Sequence, residues 1–104
     1  AATELLARGA SFDAIFAASD LIAVGAMKAL LERGLRVPED VAVAGFDDIP
    51  LASFDNPGLS TVQQDTKRAG ALLVETLLAL IHGEPAESQT IPVKLALRGS
   101  TAAK

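Results

Sequence analysis

Cysteine, tryptophan and tyrosine are absent from the 104 residues, and His82 is the single histidine. Without cysteine there is no disulfide, no thiol nucleophile and no thiolate metal site. That usage fits a reducing compartment such as the cytoplasm. No H-E-x-x-H helix or calcium-loop pattern occurs, and neither does a G-x-S-x-G elbow or a glycine-rich phosphate cradle. His82 stands beside Gly83 at the end of a helical pattern, where a cation meets the helix's carbonyl end, so it reads as a capping residue. The nine basic residues are scattered and the net charge is −4, which leaves no electrostatic footprint for nucleic acid. No uncharged apolar run approaches the ~18 residues of a membrane span, and no secretory leader pattern is visible.

What the chain does have is aliphatic bulk. Half its residues are apolar and mean hydropathy is +0.36, with four phenylalanines as the only aromatics. The core is therefore built from Leu, Ile, Val and Ala, and the excess suggests that part of the apolar surface faces something outside the chain. The length suits one small domain. Ala1 is not Met and the opening residues already look helical, so the chain reads as a fragment of a longer protein.

The stretch Val41–Asp48 (VAVAGFDD) organises the rest. A short Val-rich run between Pro38 and Pro50 predicts a strand buried on both faces. Before it, residues 1–8 predict a helix ended by Gly9, residues 13–18 a strand, and Leu21–Arg33 a long helix with Ser19 and Asp20 as cap candidates and Gly34 as its stop. After it, Pro50 suits the first turn of a short helix over 51–54, and Asn56-Pro57-Gly58 is turn chemistry. Residues 59–63 predict a strand and 66–82 a second long helix with Asp65 or Thr66 as cap. Residues 90–98 predict an edge strand, because Pro92 cannot donate to a ladder. Strands alternating with helices predict an α/β layered domain with a parallel sheet.

The helix over 21–33 has almost no polar face in its first three turns, which predicts burial on a second side by another subunit or by another part of the protein. The helix over 66–82 is amphipathic, with Ala69, Leu72, Leu73, Thr76, Leu77 and Leu80 expected inward.

Ligands of open α/β sheets bind at the carboxyl ends of the strands. Three expected strand ends carry polar groups there: Ser19-Asp20, Asp47-Asp48 and Gln63-Gln64-Asp65. Adjacent strand residues point to opposite faces, so Asp47 and Asp48 do not converge easily on one metal ion. A phosphoacceptor site, as in receiver domains, wants a lysine at a strand end that is missing here. Carboxylates that accept hydroxyl hydrogen bonds, next to a glutamine that both donates and accepts, suit a sugar or another hydroxyl-rich small molecule. Asp20, Asp48 and Asp65 also qualify as helix caps or as supporting groups, and capping is the expected role of Asp20 and Asp65. Asp47 precedes the expected cap position and is the leading candidate for ligand contact.

Three segments carry a resemblance: Ala14–Leu30 (AIFAASDLIAVGAMKAL), Gly34–Asp48 (GLRVPEDVAVAGFDD) and Leu59–Gln64 (LSTVQQ). The joint pattern G-L-x-V-P-x-D-V-x-V-x-G-F-D-D with L-S-T-V-x-Q resembles the effector domain of lactose-repressor (LacI/GalR) family transcription regulators, in its C-terminal part. The resemblance runs over nearly the whole of residues 1–104 and implies a type I periplasmic-binding-protein-like fold, of which this chain supplies most of the second α/β subdomain. It implies a non-enzymatic sensor with no cofactor or metal, working as a cytoplasmic homodimer. Such a protein binds a small effector such as a sugar, and reaches operator DNA through a headpiece outside this chain. By position it implies effector contacts for Asp47, Ser19 (where the family often has Asn) and Gln64, and a pocket completed by the other subdomain. It matches the helix over 21–31 to the family's dimer-forming helix, with Leu21, Val24, Met27, Ala29 and Leu31 at the interface and Phe54 nearby. A sugar-binding protein of a transport system shares the fold and is the alternative.

Overall fold

The computed structural model describes residues 1–101, so the last three positions of the expected 1–104 span lie outside the described residues. The element order is α1 (Ala2–Ala7), β1 (Ala14–Phe16), α2 (Asp20–Glu32), β2 (Ala42–Asp47), α3 (Pro50–Phe54), β3 (Ser60–Gln63), α4 (Thr66–Ile81), β4 (Lys94–Ala96) and a 3-10 turn, Gly99–Thr101. The strands form one sheet in the order β1-β2-β3-β4, with β1, β2 and β3 parallel as the alternation of strands and helices requires. The register sets Ile15 beside Val43, Gly45 beside Thr61 and Asp47 beside Gln63.

Two compact units result. The first is Ala1–Gln63 together with the C-terminal stretch from Leu95, and the second is Gln64–Lys94. The core of the first unit lies between α2 and one face of β2. Ala23, Met27 and Leu30, one helical turn apart, lie against Val41 and Val43 with Ala52 and Leu59, all essentially sealed from solvent. Burying a side chain such as Met27 or Leu30 contributes roughly 1.5–3 kcal/mol.

Several sequence expectations need correction. β2 is not buried on both faces: Val43 and Gly45 are buried, while Ala42, Ala44 and Phe46 on the other face are only partly covered. Met27, expected on the outer side of α2, is 2% exposed and belongs to the core of this chain, because it follows Ala23 by four residues and shares its face. In the second unit, α4 has no fully buried residue. Ala69, Leu72 and Thr76 are half-buried, whereas Leu73, Leu77 and Leu80, expected inward, are exposed. The edge strand contracts to Lys94–Ala96, leaving Pro92 ahead of it, since a residue with no N–H cannot join the ladder.

Helix ends follow local chemistry. Gly34 and Gly83 take φ of 76° and 74° just past α2 and α4, and His82 is the α4 C-cap. Pro50 is at the start of α3, where its missing N–H costs nothing. Among the described residues no helix is long and apolar enough to cross a membrane.

Candidate functional site

Ser19 is the N-cap of α2: its extended backbone turns the chain into the helix and its hydroxyl accepts from Ile22 N–H at 3.3 Å. Such a cap is worth ~1 kcal/mol and leaves the hydroxyl proton available to donate. Asp20, expected as a cap, is instead the first residue of the helix and is fully buried. Its carboxylate Oδ2 accepts from Ile49 N–H at 2.8 Å and its Oδ1 from the Thr61 hydroxyl at 2.6 Å. A buried carboxylate is tolerable only when hydrogen-bonded, and these two bonds, with its place in the first turn of α2, supply that condition.

Asp20 also explains Gly45. A Cβ at position 45 would overlap Asp20 Oδ1 and stand 3.1 Å from both Asp20 Cα and Leu59 Cδ2. The glycine in the middle of β2 is there so that the α2 carboxylate can lie on the strand.

At the carboxyl end of β2 the backbone leaves ordinary strand geometry. Asp47 has φ of 114° and Asp48 of 57°. Asp tolerates the left-handed region better than most residues, yet each such conformation costs of order 1–3 kcal/mol and persists only where the surroundings enforce it. Here they do. Asp48 N–H donates to Thr61 Oγ1 at 3.3 Å, and the next amide, Ile49 N–H, goes to Asp20. The Asp48 carboxylate is largely covered, with Oδ1 2.8 Å from Arg98 Nη1 and Oδ2 accepting from Gln63 Nε2 at 2.9 Å. The Arg98 guanidinium bound to Asp48 holds that carboxyl below its ordinary range; partial burial opposes this, and Gln63 reinforces it. Asp48 is therefore an ion-paired strut and not a helix cap: the cap position of α3 belongs to Ile49, which has no side-chain cap.

Arg98 is itself pinned. Its Nη1 also donates to the Leu59 carbonyl at 2.9 Å, and its backbone N–H and C=O bracket Ser60 Oγ at 2.8 and 3.0 Å. Two residues on, Ser100 Oγ donates to the Val43 carbonyl and accepts from Ser60 N–H at 2.8 Å, standing in the ladder between β2 and β3. The C-terminal segment is thereby locked to the start of the strands whose far ends carry Asp47 and Gln63.

The outcome is a rim in which Asp47 is exposed at the tip of the central strand, beside Gln63 in register, with the N-terminus of α2 tied to the same loop through Asp20. Gln64 opens the second unit, exposed, and Asp65 caps α4 by accepting from Arg68 N–H at 3.0 Å, as expected. On the flank of the first unit, Leu21, Leu31 and Phe54 are well exposed, and Val24 and Ala29 are half-buried. The sequence reading missed Arg98, Thr61 and Gly45. The signals available for the last two were hydroxyl residues inside a buried strand and a glycine amid β-formers. Among the described residues no cluster of potential metal ligands occurs.

Polar groups gathered at the carboxyl ends of parallel strands are the arrangement at which open α/β domains bind small ligands. The sequence matches the periplasmic binding protein-like domain family over residues 2–101, and the chain belongs to that family. Within it, the chain sides with lactose-repressor-type transcription regulators. It is 45% identical to the HTH-type transcriptional regulator MalR of Streptomyces coelicolor, over 98% of this chain and 30% of that protein. It is 40% identical to a ribose operon repressor of Halalkalibacterium halodurans, over 93% of this chain and 30% of the relative. The lac repressor dimer bound to operator and the anti-inducer ONPF superposes with a TM-score of 0.90 at 38% identity, covering 98% of this chain and 31% of that one. A LacI family regulator from an Arthrobacter species in complex with lactose gives a TM-score of 0.84 at 41% identity, covering 98% of this chain and 39% of that one. The chain thus spans about a third of the length of these relatives. They are transcription regulators, not transport proteins or enzymes, so the transporter alternative is not favoured.

Proposed function

We propose that this chain is the effector-sensing and dimerisation portion of a DNA-binding transcription regulator, a repressor, that responds to a sugar or a related hydroxyl-rich metabolite in the bacterial cytoplasm. The observation that carries this reading is Asp47: an exposed carboxylate at the tip of the central parallel strand, on a backbone conformation that the buried groups beneath it hold in place. A carboxylate so placed can accept hydrogen bonds from vicinal hydroxyls. The relatives support the ligand class, since one is described in complex with lactose and another as a ribose operon repressor.

In this reading Asp47 accepts effector hydroxyls, Ser19 donates its hydroxyl from the start of α2, and Gln64 adds an amide. The missing subdomain closes the other side. Effector binding then biases the closure of the two lobes and, through a homodimer, the spacing of the headpieces on operator DNA. Only a difference in affinity between open and closed states drives such a shift. Leu21, Val24, Ala29, Leu31 and Phe54 supply the dimer face.

The test is calorimetric titration of the intact regulator with a panel of neutral sugars that includes ribose, lactose and maltose. Asp47→Asn is expected to weaken binding of the recognised sugar by about tenfold or more, ~1.4 kcal/mol, with an unchanged melting temperature. Equal affinity of variant and wild type, or binding of no sugar at all, overturns the assignment.

A further inference from the structure

We infer that Arg98 is a positioning residue for the effector site: through Asp48 it fixes the left-handed dipeptide that presents Asp47. The inference rests on the effector reading above and adds to it a residue at the far end of the chain that touches no effector.

The argument is geometric. Asp47 and Asp48 both have positive φ, at 114° and 57°, and neither is glycine. Such a pair reverts to extended or helical backbone unless its surroundings hold it. Several groups hold the Asp48 side of the turn. Thr61 Oγ1 takes the Asp48 amide at 3.3 Å, a long bond, while Asp20 takes the next amide at 2.8 Å. The Asp48 carboxylate is gripped by Arg98 and Gln63 at 2.8 and 2.9 Å. Of these, the Arg98 contact alone pairs full charges, and it is largely shielded from water, with Arg98 25% and Asp48 13% exposed. Arg98 is also anchored independently of Asp48, through the Leu59 carbonyl and Ser60 Oγ, so it acts as a fixed post and not as a follower. Its stem lies over Gly58, where a Cβ would stand 3.4 Å from Arg98 Cδ. The turn carrying the effector carboxylate is therefore fastened to the C-terminal segment, whose Arg98 and Ser100 are themselves bonded to the start of β3.

The test separates positioning from general stability and from the effector reading itself. In the intact regulator, Arg98→Ala is expected to weaken sugar binding by about tenfold, and Asp48→Ala similarly. The double variant is expected to be no weaker than either single one, because one residue acts through the other. Additive losses overturn the inference, as does wild-type affinity in both single variants. Asp48→Asn, which tolerates the same backbone, is expected to bind better than Asp48→Ala, and it serves if Arg98→Ala does not fold; equal binding by the two overturns the conformational role. A crystal structure of Arg98→Ala without ligand reads the same claim directly: Asp47 is expected to leave positive φ, and an unchanged turn overturns it. The two claims fail differently. Loss of binding in Asp47→Asn with normal binding in the Arg98 and Asp48 variants sinks only the positioning role. An Asp47→Asn protein that binds normally sinks the effector assignment, while the crystal structure still decides whether Arg98 holds the turn.

Discussion

At the scale of single residues, three carboxylates adjacent to apolar strands have three different occupations, and burial decides which. Asp20 is sealed and bonded inward, Asp48 is largely covered and ion-paired, and Asp47 is exposed. Sequence alone expected Asp20 as a cap and Asp47 as the ligand contact and left Asp48 between the two, since an Asp next to a helix start satisfies both a capping and a binding pattern. Gly45 makes the inward role of Asp20 possible, and Gly45→Ala is expected to destabilise the fold by about 1–3 kcal/mol through overpacking. Chemical denaturation checks this; a neutral substitution would mean that Asp20 can shift at no cost. Charge gives a second expectation. Asp48 has a lowered pKa, and Asp40, bound to Arg36, is lowered to about 2. A carboxyl lowered in the folded state contributes stability that is complete above its ordinary unfolded value and is lost as pH falls through the folded value. Melting temperature is therefore expected to drop between roughly pH 5 and pH 2, with a smaller drop in Arg98→Ala. The Arg36–Asp40 part is on the surface and is expected to fade with added salt.

At the scale of elements, helix and strand identities were legible because propensity, caps and breakers agreed: Ser19 and Asp65 start helices, Gly34 and Gly83 stop them, and Pro50 opens α3. Which face of α2 meets the sheet was not legible. The helix is apolar nearly all round, so periodicity carries little information about orientation. The structure turns Ala23, Met27 and Leu30 inward and leaves Leu21, Ile22 and Leu31 exposed. The two faces are expected to respond differently. Met27→Ala should cost about 2–5 kcal/mol of stability without changing the oligomeric state. Leu21→Glu with Leu31→Glu should convert a dimer of the intact regulator to monomer by light scattering while the melting temperature of the fold holds. A dimer that survives the paired charges places the interface elsewhere.

At the scale of the whole molecule, the sequence by itself determined the α/β class, the parallel order of the first strands, and the stretch at whose end the candidate site lies. These follow from local propensity and from the rule that ligands meet parallel sheets at the carboxyl edge. Family membership was equally local, carried by contiguous motifs. Only the tertiary structure decided that Arg98 reaches Asp48, that Asp20 reaches Thr61 and Ile49, and that Ser100 enters the ladder beside Val43. Those contacts join residues 29 to 57 positions apart. No periodicity or cap rule links positions so distant, because their meeting depends on how the strands are stacked and on which side chains the stacking leaves unsatisfied.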